Sequence, residues 1–304
     1  MDLSYRLSPP SDLPVRGQIA GQADSDQQVV GMWLYGKAIT TQHAYQGEMR
    51  RFLTFVNKPM AHITLGEVQQ YITSLGNLAA SSQARAINAI KSLFGFAYRI
   101  GYLPFNVLVP VQAPKFKNTL AERILPEMNV QLLIALETNP RNRAILKLLY
   151  GAGLRVSELC GLKWRDLQPR GEGDFPGQVT VFGKGGKTRT VVLTAGLWQE
   201  LISLRATASL QEPVFRSRKQ SGHLTPTQVR RIVKTAAQRI PVMETKLAAK
   251  VSPHWLRHAH ASHSLDRGAP IHLVQATLGH ASVATTGRYL HARPSDSSVR
   301  FLAI

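Results

Sequence analysis

Four short segments in the second half of the chain carry side chains that could act together on a phosphate group. Residues 151–159 place Arg155 after a Gly-Ala-Gly-Leu turn, and an arginine exposed there can bind an oxyanion through two parallel hydrogen bonds. Residues 182–188 form a glycine-rich turn that carries Lys184 and Lys187. Each residue alone is more often an ordinary solvated charge, so only the combination indicates a site.

The other two segments add groups that move protons and a candidate nucleophile. Residues 253–263 hold four histidines, and Arg257 follows His254 by three positions, which places both side chains on one face of a helix. Residues 278–291 hold His280 and then Tyr289. A tyrosine hydroxyl has a pKa of about 10, so it needs neighbouring groups to activate it before it can attack.

Two other kinds of site fit parts of these segments less well. The glycine-rich turn lacks the pattern of a nucleotide-binding P-loop, because Val181 stands where the motif requires glycine and a strand follows where it requires a helix. The four histidines have no carboxylate or cysteine beside them within their segment, whereas zinc sites usually draw on such a mixed set. We therefore predict neither a metal ion nor a cofactor.

Charge indicates the kind of partner. The 304 residues include 37 Lys and Arg against 18 Asp and Glu, a formal net charge of +19, and so basic a surface attracts polyanions such as nucleic acid. Charge alone also fits a protein kept soluble by repulsion or one bound to a membrane surface. The single cysteine, Cys160, excludes an intramolecular disulfide and fits a reducing compartment. With no signal peptide or apolar span in the sequence, we expect a cytoplasmic protein without a membrane partner.

The elements that must position these segments are mostly helical. Residues 1–28 are predicted to be a flexible tail, and residues 29–110 a helical domain in which apolar residues recur three or four apart. We predict that Thr41 caps one of its helices, and that Thr64 with Glu67 forms a capping box at the start of another.

A linker and a larger domain complete the predicted organisation. Residues 111–125 combine prolines and lysines with little periodicity, which is typical of a linker. Residues 126–304 begin with helical patterns, continue with two strands, 179–182 and 188–193, and return to helices at 225–239 and from 253 onward. The predicted fold class is mainly α with a small β-sheet.

In combination, the segments resemble the tyrosine recombinases, or phage integrases, including the Xer-type chromosome-dimer resolvases. The family pattern is an arginine in Gly-Leu-Arg-x-x-Glu-Leu, a lysine in a β-hairpin turn, a His-x-Leu-Arg-His box, a Leu-Gly-His and a following tyrosine. All five features occur here in that order, on Arg155, Lys184, His254 with Arg257, His280 and Tyr289. The sequence departs from the pattern at Ala259, where the family often has a hydroxyl residue.

The resemblance implies a SAM-like helical core-binding domain in the first half and a DNA breaking-rejoining catalytic domain in the second. It implies that Tyr289 is the nucleophile and forms a 3′-phosphotyrosine, that Arg155 and Arg257 hold the phosphate, and that Lys184, rather than Lys187, protonates the leaving 5′-oxygen. The remaining roles, also implied, are proton transfer by His254, a phosphate hydrogen bond from His280, and supporting structure from His258, Glu158 and Trp255.

The resemblance also implies partners and alternatives. Double-stranded DNA is the expected partner, bound by a homotetramer that joins two DNA sites, with a second recombinase or a DNA-bending factor as further candidates. The C-terminal segment 299–304 is apolar enough to dock on a neighbouring subunit, and packing on its own domain is an equal alternative. A type IB topoisomerase would share the chemistry, and a DNA-binding accessory factor would share the charge. The Leu-Gly-His box and the helical first half favour the recombinase over the topoisomerase, and the complete set of six site residues favours it over an accessory factor.

Overall fold

The structure is a computed structural model and describes residues 22–115, 119–183, 186, 188–217 and 222–290. The chain divides into two compact units, Met1–Lys117 and Asn118–Ile304. Each unit has its own apolar core. None of the helices in the described ranges has the length and apolarity needed to cross a membrane.

The first unit is a bundle of amphipathic helices. Their apolar residues recur at helical spacing and meet in one core that includes Phe52, Tyr71 and Phe94, whose rings pack edge to face. The helices are α1 (Asp26–Leu34), α2 (Ile39–Val56), α3 (Leu65–Ser74) and α4 (Ala80–Arg99).

Side-chain caps mark where two of these helices, α1 and α3, begin. Thr64 accepts a hydrogen bond from the Glu67 backbone, and the Glu67 side chain bonds back to Thr64, so the predicted capping box is confirmed. The prediction for Thr41 was wrong: α2 begins at Ile39 and Thr41 lies inside its first turn, because the chain enters the helix from the turn that precedes it. Ser25 caps α1, so the predicted tail, residues 1–28, includes the start of a helix.

The second unit contains most of the secondary structure and opens within the predicted linker. Leu120, Ile124 and Leu125 are buried, and a short 3₁₀ turn joins them. The helices that follow are α5 (Glu127–Ala135), α6 (Pro140–Gly151), α7 (Val156–Gly161), α8 (Ala195–Ser203), α9 (Pro226–Gln238), α10 (Thr245–Ala248), α11 (Pro253–Asp266), α12 (Ile271–Leu278) and α13 (Val283–Gly287). The predicted class, mainly α with a small β-sheet, is confirmed.

The sheet of the second unit has three antiparallel strands in the order β1 (Leu167–Pro169), β2 (Gly177–Phe182) and β3 (Thr188–Leu193). The two predicted strands, 179–182 and 188–193, are thus confirmed, and β1 was not foreseen. Val181 pairs with Arg189 in the register between β2 and β3. Alternate residues face the core, including Val191 and Leu193.

Two clusters of apolar side chains form the interior of the second unit. The larger one joins α5 to α11 with the sheet. The smaller one is built from Leu120, Ile124, Ala261, Val274, Leu278 and Tyr289. This smaller cluster places the end of α12 and the turn after α13 against α11, so residues distant in sequence become neighbours.

Candidate active site

Arg155 is held at the start of α7 by Glu158. The Arg155 backbone N–H donates to Glu158 Oε2 over 2.7 Å, and its Nη1 donates to Glu158 Oε1 over 2.7 Å. Its Nη2 donates to the carbonyl oxygen of Gly279 over 3.2 Å. About a third of the side chain, 35%, remains exposed, so the guanidinium is fixed along one edge and open along another.

Glu158 is buried and is shared by two arginines. Arg189 of β3 donates from Nη1 and Nη2 to the two carboxylate oxygens, both over 2.8 Å, and its Nε donates to the carbonyl of Thr277 over 2.7 Å. Burial would raise the pKa of Glu158, but the hydrogen bonds from Arg189 and Arg155 outweigh it and lower the pKa to about 2. The carboxylate is therefore ionised at neutral pH.

Arg257 of α11 binds the same turn. Its Nη2 donates to the carbonyl of Leu278 over 2.6 Å, and its Nη1 donates to the carbonyl of Gly153. Burial, followed by the charge of Arg155, lowers the pKa of Arg257 to about 10, so it stays cationic at neutral pH. The arginines thus bind consecutive carbonyls, Leu278 and Gly279, where a helix C-terminus carries partial negative charge.

The turn after α12 carries His280. Gly279 ends the helix with a φ of 64°, a left-handed conformation that favours glycine, and a Cβ there would lie 3.1 Å from Cδ of Arg189. His280 Nδ1 lies 2.9 Å from the Thr286 hydroxyl. Burial, followed by the nearby arginine charges, lowers the pKa of His280 to about 4, so the ring is neutral at pH 7.

Tyr289 is buried between two histidine rings. Its side chain belongs to the smaller apolar cluster and the residue is 6% exposed. Its ring stacks on His280 with centroids 6.4 Å apart, and its hydroxyl lies 2.8 Å from Nδ1 of His258. Burial raises the pKa of Tyr289, although the positive charges of Arg257 and Arg288 oppose the rise.

His258 is neutral in this arrangement. Burial, followed by His254 and nearby arginines, lowers its pKa to about 4, and a neutral imidazole can accept a hydrogen bond at one nitrogen. The Tyr289 hydroxyl and Nδ1 of His258 therefore share a hydrogen bond whose direction depends on the tautomer of the ring. The family pattern implied a supporting role for His258, whereas the structure places it against the candidate nucleophile.

The remaining histidines of α11 differ in their surroundings. His254 is exposed on the surface, and desolvation by its neighbours together with the charge of Arg257 lowers its pKa. His260 bonds to the carbonyl of Tyr150 over 2.7 Å, and His263 lies between the Tyr150 hydroxyl and the Leu125 carbonyl. Within the described ranges, no group of three or more His, Cys, Asp or Glu side chains is arranged to hold a metal ion.

The structure brings most of the predicted site residues together. Arg155, Arg257, His280 and Tyr289 surround the turn after α12, and His254 lies one helical turn before Arg257. Lys184 lies outside the described residues. Arg189 was not predicted from the sequence, although alternation places it on the face of β3 that buries Val191 and Leu193, and a charge on a buried face needs a partner.

The site combines the buried Tyr289 with two arginines, Arg155 and Arg257, that could bind an anion. Two guanidiniums and a neutral histidine line the turn next to the tyrosine. Fixed cations next to a nucleophile stabilise the negative charge that builds up on a phosphate during attack. The site therefore fits a transesterification at phosphorus.

Comparisons with known proteins agree with this chemistry. A profile of the phage integrase family matches residues 122–296, and one of the phage integrase N-terminal SAM-like domain matches residues 30–97. The tyrosine recombinase XerC of Pelobacter propionicus is 33% identical over 270 residues, covering 83% of this chain and 84% of that protein. The XerC of Halalkalibacterium halodurans is 32% identical over 298 residues, covering 89% of this chain and 94% of the relative.

Solved structures share the fold. A lambda integrase dimer bound to a COC′ core site superposes with a TM-score of 0.69 at 18% identity, covering 90% of this chain and 77% of that one. XerH recombinase bound to difH substrate superposes with a TM-score of 0.67 at 19% identity, covering 92% of this chain and 83% of that one. Since the family profile spans more than half of the sequence and relatives above 30% identity span most of it, the chain belongs to the phage integrase family, the tyrosine recombinases.

Proposed function

We propose that Tyr289 is the nucleophile of this site-specific recombinase and that its substrate is double-stranded DNA. The Tyr289 oxygen attacks the scissile phosphorus, the bond from phosphorus to the 5′-oxygen breaks, and a 3′-phosphotyrosine and a free 5′-hydroxyl result. Attack by a 5′-hydroxyl on the phosphotyrosine reverses the step and rejoins a strand. One phosphate ester replaces another, so the exchange conserves the energy of the bond and requires no nucleotide cofactor.

Arg155 and Arg257 bind the non-bridging oxygens of the phosphate in this proposal. The observation that carries it is their convergence on the consecutive carbonyls of Leu278 and Gly279, beside the ring that stacks on Tyr289. Each guanidinium has five N–H donors. Arg155 donates to Glu158 and Gly279, and Arg257 donates to Gly153 and Leu278, so each guanidinium keeps three donors for the phosphate.

Protons move through the groups around the tyrosine. In the resting site the Tyr289 hydroxyl shares a hydrogen bond with His258, and burial raises the pKa of Tyr289, so the phenol stays protonated at neutral pH. We assign proton transfer to His254, a hydrogen bond to the phosphate to His280, and protonation of the leaving 5′-oxygen to Lys184, all carried over from the family pattern.

The partners follow from the relatives and the charge. The lambda integrase and XerH structures contain recombinases on their DNA sites, and a net charge of +19 suits a polyanionic partner. We propose that residues 29–110 bind DNA as the SAM-like domain, that residues 111–125 link it to the catalytic domain 126–304, and that a homotetramer joins two DNA sites in the cytoplasm. A second recombinase or a DNA-bending factor is a further candidate partner. The comparisons support neither a topoisomerase nor an accessory factor.

Covalent capture tests the proposal directly. The protein is incubated with fragmented host DNA and denatured, and the protein-linked fragments are recovered and sequenced. Tyr289→Phe is run beside wild type, with Tyr35→Phe, which changes a 90% exposed tyrosine of the first unit, as the matched control.

The expected result is a set of fragments that share one site, seen with wild type and Tyr35→Phe and absent with Tyr289→Phe. DNA binding by Tyr289→Phe should equal that of wild type. Adducts of equal yield in Tyr289→Phe would overturn the assignment of the nucleophile. Wild-type adducts without a shared site would instead support a topoisomerase-like activity.

A further inference from the structure

Arg189 of β3 donates a hydrogen bond from each of its three guanidinium nitrogens to an acceptor of the protein. Nη1 and Nη2 bind both oxygens of Glu158, and Nε binds the carbonyl of Thr277. The side chain is 11% exposed, against 35% for Arg155. Because all three nitrogens are bound by acceptors of the protein, we look for the role of Arg189 in the residues that it binds.

The first of those residues is Glu158, whose carboxylate is shared with Arg155. Each carboxylate oxygen accepts one bond from Arg189 and one from Arg155, over 2.7 to 2.8 Å. Four donors satisfy the charge of the carboxylate from two sides. With Arg189 absent, Arg155 would be the remaining cation hydrogen-bonded to a buried carboxylate and would be drawn more tightly toward it.

The second connection runs to the turn that carries His280. Arg189 binds the carbonyl of Thr277 and packs against Gly279, whose own carbonyl accepts from Arg155. Arg189 therefore links β3, which follows the lysine-bearing turn, to α7 and to the end of α12. These are three of the segments that carry the proposed site.

We propose that Arg189 is a positioning residue for cleavage. It binds both oxygens of Glu158 and offsets their charge, so that Arg155 keeps an edge of its guanidinium free for the phosphate. The inference rests on the proposed function, because Arg155 has a phosphate to hold only if the chain cleaves DNA. Arg189 itself does not contact DNA. A purely structural ion pair would stabilise the fold equally well, so the test must separate positioning from stability.

The test measures covalent adduct yield in the capture experiment, with fragmented host DNA as the probe. The variants are Arg189→Met, Arg189→Lys and the double variant Arg189→Met with Glu158→Gln. Arg170→Met is the matched control, since Arg170 directly follows β1 of the same sheet and is exposed. Thermal unfolding and DNA binding are measured on every variant.

Arg189→Met should lower the adduct yield about 100-fold, as the loss of a preorganised donor does, while DNA binding is retained. Arg189→Lys should be defective as well, because an ammonium cannot bind both carboxylate oxygens in the plane, and it serves as the test if Arg189→Met unfolds. The double variant should recover part of the yield, since the uncharged amide that Glu158→Gln introduces no longer competes for Arg155.

Two results would overturn the inference. One is a wild-type yield in a folded Arg189→Met or Arg189→Lys. The other is an adduct yield of the double variant no higher than that of Arg189→Met. That result would mean that Arg189 has only a structural role. A wild-type protein that forms no adducts would contradict the proposed function itself, and this inference with it.

Discussion

Each unit buries one glutamate that two arginines share, but the two clusters are built differently. In the first unit, Oε2 of Glu48 in α2 lies 3.3 Å from Nη2 of Arg51, and its Oε1 lies 3.1 Å from Nη2 of Arg85. The glutamate side chain is 4% exposed, whereas the arginine side chains are 51% and 61% exposed. Half or more of each arginine side chain is therefore exposed to solvent.

In the second unit Glu158 is equally buried, and its arginines are less exposed than those of Glu48. Its bonds to Arg155 and Arg189 are 2.7 to 2.8 Å long, and Arg189 binds both carboxylate oxygens at once. The same residue types thus produce an exposed pair of cations in one unit and a less exposed, hydrogen-bonded pair in the other. The difference suggests distinct tasks, because attraction of DNA needs charge alone, whereas charge stabilisation during reaction needs a fixed position.

The largest expected effect separates the two clusters by activity. Arg155→Ala should lower the rate of covalent adduct formation about 100- to 1,000-fold, because a fixed charge at the phosphate is lost. Arg85→Ala should leave the rate at saturating protein unchanged, because its charge only attracts DNA. Single-turnover cleavage of the site recovered by covalent capture measures both. Equal defects in the two variants would remove the distinction.

The second expected difference between the Glu158 and Glu48 clusters is in the free energy of unfolding that each glutamate contributes. Glu158→Ala leaves Arg189 buried beside Arg155 without its counter-ion, which should cost about 3 kcal/mol. Glu48→Ala leaves exposed arginines that return to water, and the cost should stay within about 1 kcal/mol. Hydrogen exchange of amides in α7 and α2 reports the opening free energy of each unit separately. A larger loss in α2 than in α7 would contradict the comparison.

Acid should weaken the cluster around Glu158. The pKa of Glu158 is lowered from 4.5 to about 2 in the folded protein, so its contribution to stability is complete above about pH 4.5 and is lost as the pH falls toward 2. Glu158→Gln has no carboxyl group to titrate, so the stability difference between wild type and this variant should shrink over that range. Thermal unfolding measured at pH 6, 4.5 and 3.5 checks this. A difference that stays constant would show that Glu158 is not held ionised by its arginines.

The smallest effect concerns salt. Each of Arg51 and Arg85, if it contacts a phosphate, should reduce the slope of log affinity against log salt by about one when changed to alanine. Arg189→Met should leave that slope unchanged, since its guanidinium is bound inside the protein. DNA binding measured from low to moderate salt distinguishes the variants. A reduced slope in Arg189→Met would place that residue at the DNA.

Local sequence patterns predicted much of the fold. Apolar spacing predicted that the first unit is helical, the capping box at Thr64 marked the start of α3, and the strand patterns located β2 and β3. These elements depend on interactions between residues a few positions apart. The start of α2 was displaced from Thr41 to Ile39, because a helix can begin without a side-chain cap when the preceding turn directs the chain into it.

The sequence alone was enough to indicate the family, its charge and the residue types of the site, because these are properties of composition and order. Only the tertiary structure decided which groups meet. Arg155 reaches Gly279 across 124 positions and Arg189 reaches Thr277 across 88, and His258 meets the hydroxyl of Tyr289 across 31. Such contacts arise from the packing of β3, α7, α11 and α12, and packing depends on the whole core rather than on local propensity.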